Sequence, residues 1–206
     1  METTKSRPVA PAADTRPAER VILGIDPGTT VMGYAVLLEQ GRSAKLVDAG
    51  ALRLNASDDH AVRLRGIFRF TQDLIERHHP DELAIEAQFF GKNVQSMLKL
   101  GRAQGVAIAA ALQRDLAVVE YAPKRVKQSI TGNGNATKEQ VAAMLLSILQ
   151  VAELPASTDA TDAVAVAVCH HFAAGSAARP TRHAPSRGTS DWASFVRNNP
   201  GRVRKD

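Results

Sequence analysis

Four carboxylates in this 206-residue chain stand where an ionised group needs a reason to be. Asp26 closes the apolar run Val21–Ile25, and Glu86 closes the short run Leu83–Ile85. Asp159 and Asp162 open the last apolar segment and, three residues apart, project from one helical face. A carboxylate leaving water needs a counter-charge. For Asp26 the candidates are a metal ion, a Lys or Arg, or solvent at an exposed strand end. Read alone, the Asp159–Asp162 pair is ordinary helix capping. Read with two strand-end acids in a basic-tailed chain, the set points to hard divalent cations, because clustered carboxylates repel one another. Oxygen donors favour Mg²⁺ or Mn²⁺, and no His/Cys cluster has zinc spacing. Two such ions can clamp the attacking and leaving oxygens of a phosphodiester during in-line displacement.

The elements that must position these acids follow from local pattern. Val21–Asp26 reads as a strand, Pro27–Gly28 as a tight turn, and Gly33–Glu39 as the returning strand. A third strand spans Ala44–Leu54 after a turn at Gln40–Arg42, which gives an antiparallel meander. Helical spacing of Val62, Leu64, Ile67, Phe68, Leu74 and Ile75 predicts a helix over Asp59–His78. His78 and His79 complement that helix's C-terminus rather than bind metal. Glu82–Glu86 and Leu116–Glu120 are short strands, and a long helix with a small-residue stretch, Gly101–Ala111, runs over Asn93–Arg114. A short helix from Pro123 to Ile130, a Gly/Asn loop at 131–137 and a helix over Lys138–Leu149 follow. Ala163–Val168 alternates at period two, as a strand would. Its Ala-rich, unbroken context predicts a helix over Thr158–Ala174.

Charge divides the chain further. Residues 21–174 hold fifteen basic and sixteen acidic side chains, whereas 175–206 hold seven and two. A near-neutral body with a basic tail suggests a polyanionic partner. Six of the ten prolines lie in residues 1–20 and 175–206. Both segments therefore read as disordered extensions around a domain at 21–174. No stretch of eighteen apolar residues exists to span a membrane, and the N-terminus has no signal-like apolar core. With Cys169 as the single cysteine, the expectation is a reduced, cytoplasmic protein.

Five segments, ILGIDPGTTVMGY, LAIEAQFFGKN, LKLGRAQGVAIAAA, VKQSITGNG and DATDAVAVAVCHH, taken in this order and spacing, resemble the RuvC-type Holliday-junction resolvases over Ile22–His171. The resemblance implies an α/β, RNase H-like fold: a five-stranded mixed sheet, its first three strands antiparallel, with helices on both faces. It implies a homodimer acting on four-way DNA junctions in recombination and repair, nicking two symmetrical strands with Mg²⁺, two ions per site, for which Mn²⁺ can substitute. A branch-migration helicase complex of the RuvA and RuvB type is the implied partner. Residue by residue, Asp26, Glu86, Asp159 and Asp162 match the catalytic metal-binding carboxylates. Phe89 matches an aromatic that stacks into the opened junction, and Lys127 and Lys138 match basic residues that contact DNA. The Asp-Pro-Gly-Thr-Thr turn also resembles the first phosphate loop of actin-like ATPases and sugar kinases. Those proteins need a second such domain, for which 206 residues leave no room.

Overall fold

The computed structural model describes residues 19–88 and 93–176. Five strands form one mixed sheet in the order β3-β2-β1-β4-β5. β1 (Glu19–Asp26), β2 (Val31–Gln40) and β3 (Ser43–Arg53) pair antiparallel as the expected meander. β4 (Glu82–Glu86) then lies parallel to β1, and β5 (Ala117–Tyr121) parallel to β4. The helices are α1 (His60–His78), α2 (Val94–Leu112), α3 (Pro123–Thr131), α4 (Lys138–Leu149) and α5 (Thr158–Ser176). Boundaries differ from the sequence expectations by at most two residues, β1 and β2 both starting two residues earlier.

Period-two alternation sorts the sheet into two cores. Ile22, Ala35, Leu37 and Ala84 face α3, α4 and α5. Leu23, Ile25, Val36, Leu83 and Ile85 face α1 and α2. The alternating segment Ala163–Val168 is helical after all. Every residue of it is buried, because α5 lies across the sheet under other elements, and a helix apolar all round is a buried one. In α2 the small residues split by face. Ala103, Ala107, Ala110 and Ala111 are buried, whereas Gly101 and Gly105 look onto open space.

The helix ends obey local rules. Asp59 caps α1 by accepting from the Ala61 N–H, and Thr137 and Gln140 form a reciprocal capping box on α4. His79 ends α1 in the left-handed conformation, and His78 Nε2 lies 3.1 Å from Asp48 Oδ2. Both histidines thus finish the helix, as expected.

A polar network that local sequence does not announce ties the far end of the sheet together. Arg20 donates to both Glu82 carboxylate oxygens at 3.0 Å and to Glu39 at 2.7 Å. His170 bonds Glu82 through Nε2 and Tyr121 Oη through Nδ1, and His171 Nδ1 lies 2.8 Å from Glu39. Two carboxylates, one guanidinium and two imidazoles are thus bonded to one another where β1, β2, β4 and α5 meet, with Tyr121 reaching in from β5. At about 3.3 Å per strand residue, this network stands roughly 20 Å along β1 from Asp26.

Candidate active site

Alternation along β1 places Asp26 on the face of Ile22 and Gly24, the face that α5 covers. The same alternation along β4 places Glu86 on the face of Ala84. Ile25 is registered with Ile85, so the two acids leave the same end of adjacent parallel strands. Neighbouring strands lie about 4.8 Å apart, which makes the acids neighbours. α5 then brings the other pair. A Cβ at Gly24 would lie 2.5 Å from the Ala163 carbonyl oxygen, and one at Gly33 would lie 1.9 Å from that of Asp159. Two strand glycines therefore let the helix backbone settle directly on the sheet. Gly33 is the partner of Asp26 across the hairpin, so the first turn of α5 opens beside that acid.

Asp26 lies within the field of the other three acids. Burial, reinforced by the charges of Glu86, Asp162 and Asp159, pushes the Asp26 carboxyl up to about 8. Burial and then Asp162 push Glu86 up to about 7. Lys138 compensates part of this charge, its Nζ lying 2.6 Å from Asp162 Oδ2. Ser157 Oγ donates to Asp159 at 3.3 Å. Among the described residues no three ligand side chains already converge on one coordination position. The cluster is a field that lacks positive charge rather than a finished cage. Its all-carboxylate donor set and its upward-shifted acids suit a hard divalent cation, which would relieve the repulsion.

Residues 22–170 match the family model described as crossover junction endodeoxyribonuclease RuvC. This chain belongs to the RuvC family. A curated crossover junction endodeoxyribonuclease RuvC from Cytophaga hutchinsonii is 53% identical over 186 residues, covering 90% of this chain and 89% of the relative. The counterpart from Porphyromonas gingivalis is 52% identical over 191 residues, covering 91% and 99%. Among solved structures, Thermus thermophilus RuvC in complex with a Holliday junction substrate superposes with a TM-score of 0.72 at 32% identity, covering 76% of this chain and 96% of that one. The sheet is accordingly of the RNase H-like kind. The phosphate-loop likeness of Asp-Pro-Gly-Thr-Thr is a feature of a RuvC-family hairpin, not of an ATPase.

Within this family member the remaining expected residues fall in different places. Lys138 reaches the carboxylates directly. Lys127 stands close enough to pull Glu86 downward, yet its Nζ donates to the Ala136 carbonyl at 2.8 Å and so closes the loop between α3 and α4. Phe89 lies outside the described residues. Three contributors escaped sequence reasoning. Gly24 and Gly33 sit inside apolar strands, where the one available signal is a residue that weakens a strand and marks close backbone approach. Arg63 of α1 donates to the Thr29 carbonyl at 3.0 Å and braces the turn after Asp26. Nothing local to Arg63 distinguishes it from the other arginines of that helix.

Proposed function

We infer that this chain is a structure-selective endonuclease that resolves four-way DNA junctions by metal-dependent nicking of two strands in recombination and repair. The observation that carries the reading is the convergence of Asp26, Glu86 and the α5 acids in a member of the RuvC family. The proposed catalytic and metal-holding residues are Asp26, Glu86, Asp159 and Asp162. The proposed ions are two Mg²⁺ per site, with Mn²⁺ as substitute. Bound divalent cations supply charge stabilisation at the phosphoryl oxygens and a more acidic attacking water. Asp26 and Glu86, fixed on strand ends, set the floor of the site, while Asp159 and Asp162 close it from the helix. Lys127 and Lys138 offer positive charge to the scissile phosphate's neighbours, and Phe89 offers a stacking surface.

A homodimer is the proposed assembly, because two symmetrical nicks need two sites. Support comes from α2, where Val94, Leu98, Gly101, Gly105 and Leu112 recur at helical spacing on one exposed stripe. Val94 is 67% exposed, and the open glycines permit close approach of a second helix. The nuclease domain is proposed to span residues 21–174, with extensions at 1–20 and 175–206. Cooperation with a RuvA- and RuvB-type complex and a cytoplasmic location complete the proposal. Among the described residues no helix is long and apolar enough to cross a membrane.

The test is incubation with a synthetic four-way junction and a linear duplex of the same sequence, with and without Mg²⁺. Paired nicks on the junction alone, dependent on metal, are expected. Equal cleavage of the duplex, or cleavage in chelator, would overturn the reading.

A further inference from the structure

Lys138 occupies a position that helix electrostatics disfavours. It is the first residue of α4, where the helix dipole is positive and an acid is the stabilising choice. Its ammonium nevertheless turns to Asp162, at 2.6 Å. Its charge acts on Asp26 and Asp159 as well, and on Glu86. The capping box of Thr137 and Gln140 pins the backbone on either side of it. The side chain itself is 63% exposed, and its ammonium is anchored by the ion pair with Asp162. Lys127, the other cation near Glu86, differs in kind, since its ammonium is committed to the Ala136 carbonyl.

We propose that Lys138 is a displaceable counter-cation: it offsets part of the carboxylate cluster's charge through Asp162 while the site lacks metal, and moves to a DNA phosphate once metal takes that role. The inference rests on the nuclease reading above. A fixed backbone with a mobile ammonium is what such an exchange requires, because the charge must leave Asp162 without leaving the site. A compact lysine point charge suits the task, and the planar, fork-shaped guanidinium of arginine would not transfer as readily from a carboxylate to a phosphate. The exchange makes metal loading and phosphate binding mutually supportive. Metal binding would release one cation for DNA, and a phosphate that takes up that cation would vacate a carboxylate for metal.

The salt dependence of junction binding tests this without any turnover. Wild-type protein and Lys138→Met are titrated with an intact four-way junction at several KCl concentrations, first in EDTA and then at fixed Ca²⁺, with strand integrity checked on a denaturing gel. One additional phosphate contact on duplex arms raises the magnitude of the log–log slope by about 0.9. The slopes of the two proteins should coincide in EDTA and separate by about 0.9 in Ca²⁺. Any effect of Ca²⁺ on the DNA itself cancels in that difference. A separation of the same size already present in EDTA would overturn the exchange, since Lys138 would then hold phosphate regardless of metal. Coincident slopes in both conditions would overturn it too. Failure of either protein to prefer the junction over a duplex would instead remove the nuclease reading, and the proposal with it.

Discussion

Gly33 of β2 lies directly beneath the backbone of Asp159, so close that a Cβ would come within 1.9 Å of its carbonyl oxygen. That contact sets the height of α5 over Asp26. Gly33→Ala should lift the first turn of the helix by a fraction of its diameter. Overpacking of this kind costs about 1–3 kcal/mol of stability. Displacement near 1 Å of reacting groups costs about 10²-fold in rate. Cleavage of a four-way junction should therefore fall by about that factor in a protein that still melts cooperatively and binds the junction. Wild-type cleavage by Gly33→Ala would show that α5 does not set the geometry.

Asp26→Asn should abolish nicking and leave junction affinity equal or greater. It should also change the response to pH. The folded-state value near 8 lies above the usual 3.8, so between these the folded protein binds more protons than the unfolded one. Metal-free stability must then fall as pH rises through that interval. The fall should be shallower in Asp26→Asn, and Mg²⁺ should raise the melting temperature of the wild type more at pH 8 than at pH 5. Thermal melting across that range, with and without Mg²⁺, reads both effects. An identical pH profile for the two proteins would contradict the shared-field description of the cluster.

Glu82 carries the opposite signature. Its hydrogen bond to His170 and the charge of Arg20 hold its carboxyl below the usual value of 4.5, against the effect of burial. A depressed acid contributes stability above its unfolded value, and that contribution disappears as pH falls through the folded one. Glu82→Gln should cost about 3 kcal/mol at neutral pH by leaving Arg20 half-paired at a site 13% exposed, with a smaller penalty in acid. Urea unfolding at two pH values measures this. A cost independent of pH would assign the loss to packing instead.

Phe89→Ala should slow cleavage far more than it lowers the melting temperature. Stacking on a base contributes about 1–3 kcal/mol and matters where a junction is distorted. Removing a core phenylalanine would cost about 3–5 kcal/mol of stability. Junction kinetics beside thermal melting separates the two roles, and a large drop in melting temperature would favour the core.

Truncation after Ser176 should weaken junction and duplex binding by similar factors while leaving the nick position unchanged. The segment removed carries Arg179, Arg182, Arg187, Arg197, Arg202, Arg204 and Lys205. Engagement of three or four phosphates would place the loss in salt-slope magnitude at roughly three. An unchanged slope would point instead to docking of Trp192 and Phe195 on a protein surface.

The sequence alone determined the order and type of the elements, and it singled out the four acids. Both were legible because they are local: a carboxylate ending an apolar run, an alternation along a strand, apolar residues at helical spacing. Tertiary structure decided what those acids do to one another. Asp26 and Asp162 are far apart in the chain, and their mutual repulsion exists only because Gly24 and Gly33 let α5 descend onto the sheet. It also decided that Lys127 closes a loop whereas Lys138 answers the acids, a distinction invisible in two similar lysines. The network of Arg20, Glu39, Glu82, His170 and His171 was hidden for the same reason. Each member reads as an ordinary polar residue until three strands and a helix meet at one place, where low exposure makes every unpaired charge costly.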